Sequence, residues 1–190
     1  MRKMTELIRS FIAVKIEAPE TVARISILQQ DLQKSGLHAK FVETENFHLT
    51  LRFLGEVPLT TLETVKTRLS EVKFHPFRIS LKGVGAFPAM SRPRVLWIGV
   101  EEGAEDLVSL ANQVRGKLAS IKLPEPDEDF HPHLTIARLK GPLNAEARKI
   151  IDSSKDLLFG AQEITYFALY QSILTPRGPI YKELMRYELS

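Results

Sequence analysis

The residues with the clearest chemical purpose are two histidines, each followed two positions later by a threonine. One pair lies in Phe47-His48-Leu49-Thr50-Leu51-Arg52-Phe53-Leu54-Gly55, the other in Pro132-His133-Leu134-Thr135-Ile136-Ala137-Arg138. An imidazole titrates near neutral pH and a hydroxyl donates a hydrogen bond to an anionic oxygen, so each triplet offers a proton-transfer group beside an anion ligand. For both side chains to reach one substrate they must share a face, and an extended strand achieves this by alternation. His48, Thr50 and Arg52 then lie together, while Leu49, Leu51 and Phe53 line the apolar face. In the second copy His133 and Thr135 stand opposite Leu134 and Ile136, and Arg138 falls on the apolar parity. Arg138 therefore needs a bulge, a strand end or a long reach to join the histidine. Two such strands point to an acid and a base facing one substrate.

The elements that must position these strands repeat. Ile8 to Ile16 alternates as a strand with Ile8, Ile12, Val14 and Ile16 on one face, and Pro19 suits the first turn of a helix whose apolar stripe is Val22, Ile25, Leu28 and Leu32, stopped at Gly36. After the first histidine strand, Pro58 opens a helix marked by Leu59, Leu62, Val65, Leu69 and Val72. Phe77 to Leu81 then alternates as a strand that gives way to a glycine-marked loop from Lys82 to Met90. The order starts over with the buried strand Arg94 to Val100 and a helix with Leu107, Leu110, Val114 and Leu118. A shift of 85 positions, the separation of His133 from His48, carries the helix at 20–35 onto 105–120, Pro58 to within a residue of Pro142, and Ile79-Ser80-Leu81 onto Ile164-Thr165-Tyr166. This self-similarity predicts an internal duplication. A helix near 145–154 and a closing hairpin of 166–173 and 180–188, turned at Thr175-Pro176-Arg177-Gly178-Pro179, complete the second half. The expectation is an α+β fold with two β-α-β-α-β lobes, about 1–92 and 93–190, one strand of each hairpin crossing to the other lobe. Antiparallel sheets would then face a central cleft within a single domain spanning 1–190.

Composition excludes several chemistries. The chain has 190 residues and no cysteine, which removes disulfides, thiolate nucleophiles and cysteine-ligated metals and fits a reducing, cytoplasmic setting. No apolar run has membrane length, and Phe11 to Val14 is too short for a signal sequence. The net charge of +3 permits a polyanionic partner, but acidic residues interleave with basic ones and no long basic tract singles out nucleic acid. There is no phosphate-binding Walker loop, no Gly-x-Gly-x-x-Gly and no nucleophile elbow.

A lone strand histidine is ordinarily a packing or surface residue, and His38 and His75 are read that way. For His48 and His133 the repetition itself argues for function. His131 with His133 forms a His-x-His that could hold a metal, yet no carboxylate adjoins it at a familiar spacing, since Asp127, Glu128 and Asp129 read as a solvated loop. No metal and no cofactor are expected. Arg52, Arg92, Arg94, Arg138 and Lys140 are candidate cations around the two strands. Of the aromatics Phe87, Trp97 and Tyr170, only Phe87, beside a loop proline, is a candidate for stacking on a base.

These motifs, together with Arg9-Ser10-Phe11-Ile12-Ala13 and Arg94-Val95-Leu96-Trp97-Ile98-Gly99-Val100, resemble the two-histidine phosphoesterase superfamily. Within it they resemble the bacterial and archaeal RNA 2′,3′-cyclic phosphodiesterases. The resemblance covers nearly the whole chain, and no motif position departs from it. It implies metal-free hydrolysis of a terminal 2′,3′-cyclic phosphate to a 2′-phosphate, with the reverse 2′-5′ RNA ligation. His48 and His133 would be acid-base catalysts; the near-symmetry of the pair leaves open which is base and which acid, and His133 is taken as the base and His48 as the acid. Thr50, Thr135 and Arg138 would be phosphate ligands, with Arg52, Phe87 and Arg92 as further substrate contacts. RNA is the expected partner of a monomeric protein. The rivals are a phosphodiesterase for small cyclic nucleotides, a non-catalytic RNA or nucleotide binding module, and a metallohydrolase built on His131 and His133.

Overall fold

In the computed structural model, which describes residues 5–126 and 130–190, strand β1 (Leu7–Lys15) is buried on both sides. Ile8, Ile12 and Val14 enter the main core, while Phe11 and Ala13 form a second, smaller cluster with Ala168 and Tyr170. Two differently buried faces explain why this strand reads as a nearly continuous apolar run. Helix α1 (Pro19–Lys34) follows with proline in its first turn and buries Thr21, Ile25, Leu28, Gln29 and Leu32. A short strand β2 (Ala39–Phe41) and a 3₁₀ turn at Thr44–Asn46 lead into β3 (His48–Pro58), α2 (Leu59–Leu69) and β4 (Phe77–Phe87).

The second half repeats the series as β5 (Val95–Val100), α3 (Ala104–Leu118), β6 (His133–Leu139) and α4 (Ala145–Ser153), then adds β7 (Leu158–Ile164), β8 (Tyr166–Thr175) and β9 (Gly178–Glu188). The Asn144 side chain caps α4 by accepting from the Ala147 N–H at 2.8 Å, and its amide donates to the Ser35 carbonyl at 3.1 Å, tying the end of α1 to the start of α4. No helix among the described residues is long and apolar enough to cross a membrane.

The strands form two antiparallel sheets, β3-β1-β8-β9 and β2-β6-β5-β4-β7. The halves exchange strands: β4 of the first half pairs with β5 of the second, and β8 of the second pairs with β1 of the first. Each sheet therefore contains a histidine strand from one half and a crossing strand from the other.

Both histidine strands carry a bulge at the same place in the repeat. Against β1, Ile12 opposes Arg52 and Ala13 opposes Thr50, which leaves Leu51 unpaired; against β5, Leu96 opposes Ala137 and Trp97 opposes Thr135, which leaves Ile136 unpaired. A bulge inserts one residue and so reverses the parity of everything beyond it. Ile136 and Ala137 are consequently both buried, and Arg138 emerges on the exposed side with His133 and Thr135. A second shift in β3 falls beside Gly55, whose φ of +73° favours glycine.

The structure corrects the sequence reading in three places. The loop expected from Lys82 to Met90 is largely strand, because β4 continues to Phe87. Its glycines serve a register shift between Lys82 and Val84 and make room at Gly85, where an added Cβ would meet the Trp97 ring. Ile164 is not a copy of Ile79: it ends β7 and pairs with Phe77, while β8 occupies the crossing position. Strands β2 and β7 have no counterpart in the sequence reading. The solvated loop expected at Asp127, Glu128 and Asp129 falls outside the described residues.

Candidate active site

His48 opens β3 and His133 opens β6, and the two strands approach each other from different sheets. Each imidazole is fixed by the same local device. Nδ1 of His48 lies 2.7 Å from the carbonyl oxygen of Asn46, and Nδ1 of His133 lies 2.6 Å from that of His131. A carbonyl only accepts, so Nδ1 carries the hydrogen and donates, and Nε2 is left as the nitrogen that takes up or releases a proton. The 3₁₀ turn at Thr44–Asn46 aims the Asn46 carbonyl, and the Asn46 side chain is itself anchored by donating to the Pro179 carbonyl at 3.0 Å. His131 thus contributes its backbone oxygen to the site.

The environments of the two rings differ. His48 is packed among Phe11 (centroids 4.9 Å apart) and Tyr181 (5.1 Å, edge-on), which in turn contact each other. Burial pushes the His48 pKa below the ordinary imidazole value; the hydrogen bond to Asn46 opposes this, and the charges of His133 and Arg138 lower it further. The Tyr181 hydroxyl is pushed up by burial, with Arg138 and Arg9 pulling it back. His133 sits against the edge of Phe87 at 5.0 Å and near Trp97 at 6.2 Å.

Thr50, Arg52, Phe53, Phe87, His131 and His133 border a common cavity of about 330 Å³ between the histidine strands. His48 borders a much smaller pocket, of about 40 Å³, with Phe11, Tyr170 and Tyr181. The expected phosphate ligands Thr50 and Thr135 are half-buried and Arg138 is exposed. Arg52 is engaged elsewhere: its guanidinium donates to the Pro124 carbonyl at 2.7 Å and to Phe53 at 3.3 Å, holding the cavity wall. Arg92 lies in an exposed turn, with its N–H donating to Ala89, and does not border the cavity. His38 is exposed, and His75 faces Asp106 at 3.3 Å on the surface. Among the described residues no group of three or more histidine or acidic side chains is placed to hold a metal.

Sequence reasoning assigns no role to Arg9 or Tyr181, and it places Phe53 on the apolar face, whereas the bulge at Leu51 reverses that parity and leaves Phe53 exposed. Arg9 lies over the Phe53 ring at 5.0 Å, and Tyr181 closes over His48. Arg9 shares strand parity with Phe11, a signal present in the sequence; Tyr181 comes from β9, whose proximity no local pattern reveals.

Two stretches of the chain, residues 16–97 and 98–181, each match the family described as LigT-like phosphoesterase. The chain belongs to that family. The paired match coincides with the structural repeat, one histidine strand in each. A relative from Archaeoglobus fulgidus named RNA 2′,3′-cyclic phosphodiesterase is 46% identical over 180 residues, covering 95% of this chain and 99% of its own. One of the same name from Aeropyrum pernix is 43% identical over 164 residues, covering 86% and 93%. Among solved structures, the Thermus thermophilus protein TT0787 superposes with a TM-score of 0.76 at 31% identity over 96% of this chain and 98% of its own. Escherichia coli LigT complexed with phosphate gives 0.76 at 25% identity over 98% and 99%. This LigT-like chain therefore shares its fold with these solved structures along almost its whole length.

Proposed function

We propose that this protein hydrolyses the terminal 2′,3′-cyclic phosphate of RNA to a 2′-phosphate, with 2′-5′ ligation as the reverse reaction. The observation that carries the reading is the pair of imidazoles at the starts of β3 and β6, strands in contact from different sheets, each with Nδ1 held by the carbonyl two residues before it. The names of the relatives, RNA 2′,3′-cyclic phosphodiesterase, support the substrate.

In the proposed step His133 Nε2 accepts a proton from water as the water oxygen bonds to phosphorus. The P–O3′ bond breaks opposite it, and His48 Nε2–H gives its proton to the departing O3′. Thr50, Thr135 and Arg138 hold the nonbridging oxygens. His48 has a lowered pKa in the free protein, so this assignment requires the substrate to restore its proton. Burial is the first cause of that lowering, and the negative charge of the bound phosphate acts against it by favouring the imidazolium. The protein is read as one domain, monomeric and cytoplasmic, acting without metal or cofactor.

The test is incubation with an oligoribonucleotide ending in a 2′,3′-cyclic phosphate, before and after exhaustive chelation. A 2′-phosphate product at an unchanged rate is expected. Loss of turnover on chelation, restored by zinc or manganese, would instead favour a metallohydrolase.

A further inference from the structure

The two histidines have different neighbours across their sheets. Residues directly opposite in an antiparallel pair share a face, and Lys15 on β1 opposes His48 whereas Gly99 on β5 opposes His133. A cation therefore stands beside one imidazole, and no side chain stands at the matching place beside the other.

The difference continues outward from His48. The small pocket that His48 borders shares Lys15, Glu45, Asn46 and Tyr181 with a larger cavity, of about 470 Å³, between the 3₁₀ turn and the tip of the β8-β9 hairpin. Arg177 borders this cavity from the hairpin turn, and Lys40 flanks it, since a Cβ added to Gly178 would lie 3.3 Å from its Nζ. Among the described residues none of these three cations is in an ion pair. The walls are tied in place: the Asn46 amide donates to the Pro179 carbonyl, and the Thr175 hydroxyl donates to the Gly178 carbonyl at 2.6 Å. Glu43 and Glu45 border the same cavity, also without ion pairs. With both signs unpaired, the lining suits a singly charged group that also brings hydroxyl donors, as a ribonucleotide linkage does, better than a free dianion.

We infer that this cavity is a second subsite, which holds the phosphodiester joining the terminal nucleotide to the rest of the RNA, with Lys15 and Arg177 as its ligands. The inference rests on the proposed cyclic-phosphate reading, in which O3′ departs toward His48. C3′ carries C4′, C5′ and O5′, so the chain upstream of the reacting phosphate leaves on the His48 side, where the unpaired cations are. The subsite sets substrate length: the protein acts on the end of a polynucleotide in preference to a mononucleotide cyclic phosphate. Lys15 and Arg177 touch the neighbouring phosphate and take no part in proton transfer.

The test measures binding, so it does not depend on turnover. Adenylyl-(3′→5′)-adenosine 2′-monophosphate and adenosine 2′-monophosphate differ by one nucleotide and its phosphodiester. Both are titrated calorimetrically, at low and high salt, into wild type, Lys15→Ala, Arg177→Ala and Arg177→Lys, each checked for folding by circular dichroism. Wild type is expected to bind the dinucleotide more tightly, by a ratio that shrinks as salt rises. Each alanine variant should lower that ratio roughly threefold to tenfold, the loss of one charged hydrogen bond at a partly exposed site, and Arg177→Lys should retain most of it. A wild type that does not distinguish the ligands, or alanine variants that weaken both equally, would overturn the subsite. A preference that neither salt nor the alanine substitutions change would belong to stacking of the added base and would overturn it as well. A wild type that binds as expected but leaves a dinucleotide 2′,3′-cyclic phosphate intact would instead overturn the proposed reaction and leave the subsite standing.

Discussion

At the scale of single residues, the two histidines differ more than their motifs do. If one must be neutral and the other charged in the same complex, the rate against pH should rise and fall as a bell whose limbs report macroscopic values of the pair. His48→Ala and His133→Ala should each lower turnover by about 10² to 10⁴ and delete a limb, and the double variant should cost little more than either. Thr50→Ala and Thr135→Ala remove a donor to phosphate, so the rate should fall less and the bell persist. A pH profile of cyclic-phosphate hydrolysis checks all five proteins, and a near-normal His48→Ala enzyme with an intact bell would remove the mechanism. His48 also leaves a mark on stability. Its folded pKa lies below the unfolded value of 6.5, so the unfolded chain binds the proton more readily; stability is unaffected above that value and is lost as pH falls through the folded pKa. Urea midpoints for wild type should drop on acidification below about pH 6.5 more than those of His48→Gln, and parallel curves would contradict the burial argument.

At the scale of elements, the bulge in β6 is the piece that converts a pattern into a site. Its carbonyl at Ile136 accepts from the Val42 N–H at 3.0 Å and from Nε2 of Gln29 at 3.0 Å, and the same Nε2 donates to the Val42 carbonyl at 2.9 Å. Gln29 is 7% exposed on α1, so a helix of the first half pins the bulge that turns Arg138 of the second toward the cleft. Gln29→Met keeps the volume and deletes both bonds. It should cost about 1–2 kcal/mol in denaturant stability and raise KM for substrate more than it lowers kcat. An unchanged KM would mean that β6 holds its bulge without the glutamine. This also marks where legibility in the sequence ends. The helices at 19–34, 59–69, 104–118 and 145–153 are readable, because apolar spacing at 3.6 residues and proline punctuation are local signals. Strict alternation leaves Arg138 on the wrong face, because a bulge is set by hydrogen bonds from residues about a hundred positions away. Glycine in β4 reads as loop for the same reason: Gly83 and Gly85 answer a register shift and an indole ring, neither of which is visible locally.

At the scale of the molecule, the histidine pair is legible because it repeats, whereas the arrangement of the sheets is only partly so, since β9 flanks its sequence neighbour β8 while β7 flanks β4 from far along the chain. Neither half holds a complete sheet, and this has a measurable result. Chains cut between β4 and β5 should be insoluble or poorly folded when made separately. Made together, they should associate into a complex with hydrolytic activity, and a separately folded, well-dispersed N-terminal piece would refute this. The same exchange bears on ancestry. A gene encoding one half could have yielded a folded product only by trading its last strand with a second copy, so the simplest forerunner is an obligate homodimer with two identical histidines and a symmetric cleft. Fusion of two such genes would replace an association that depends on concentration with one that does not. Fusion would also free the copies to diverge, so that one strand could keep an arginine while the other acquired a phenylalanine, a difference no symmetric dimer can encode.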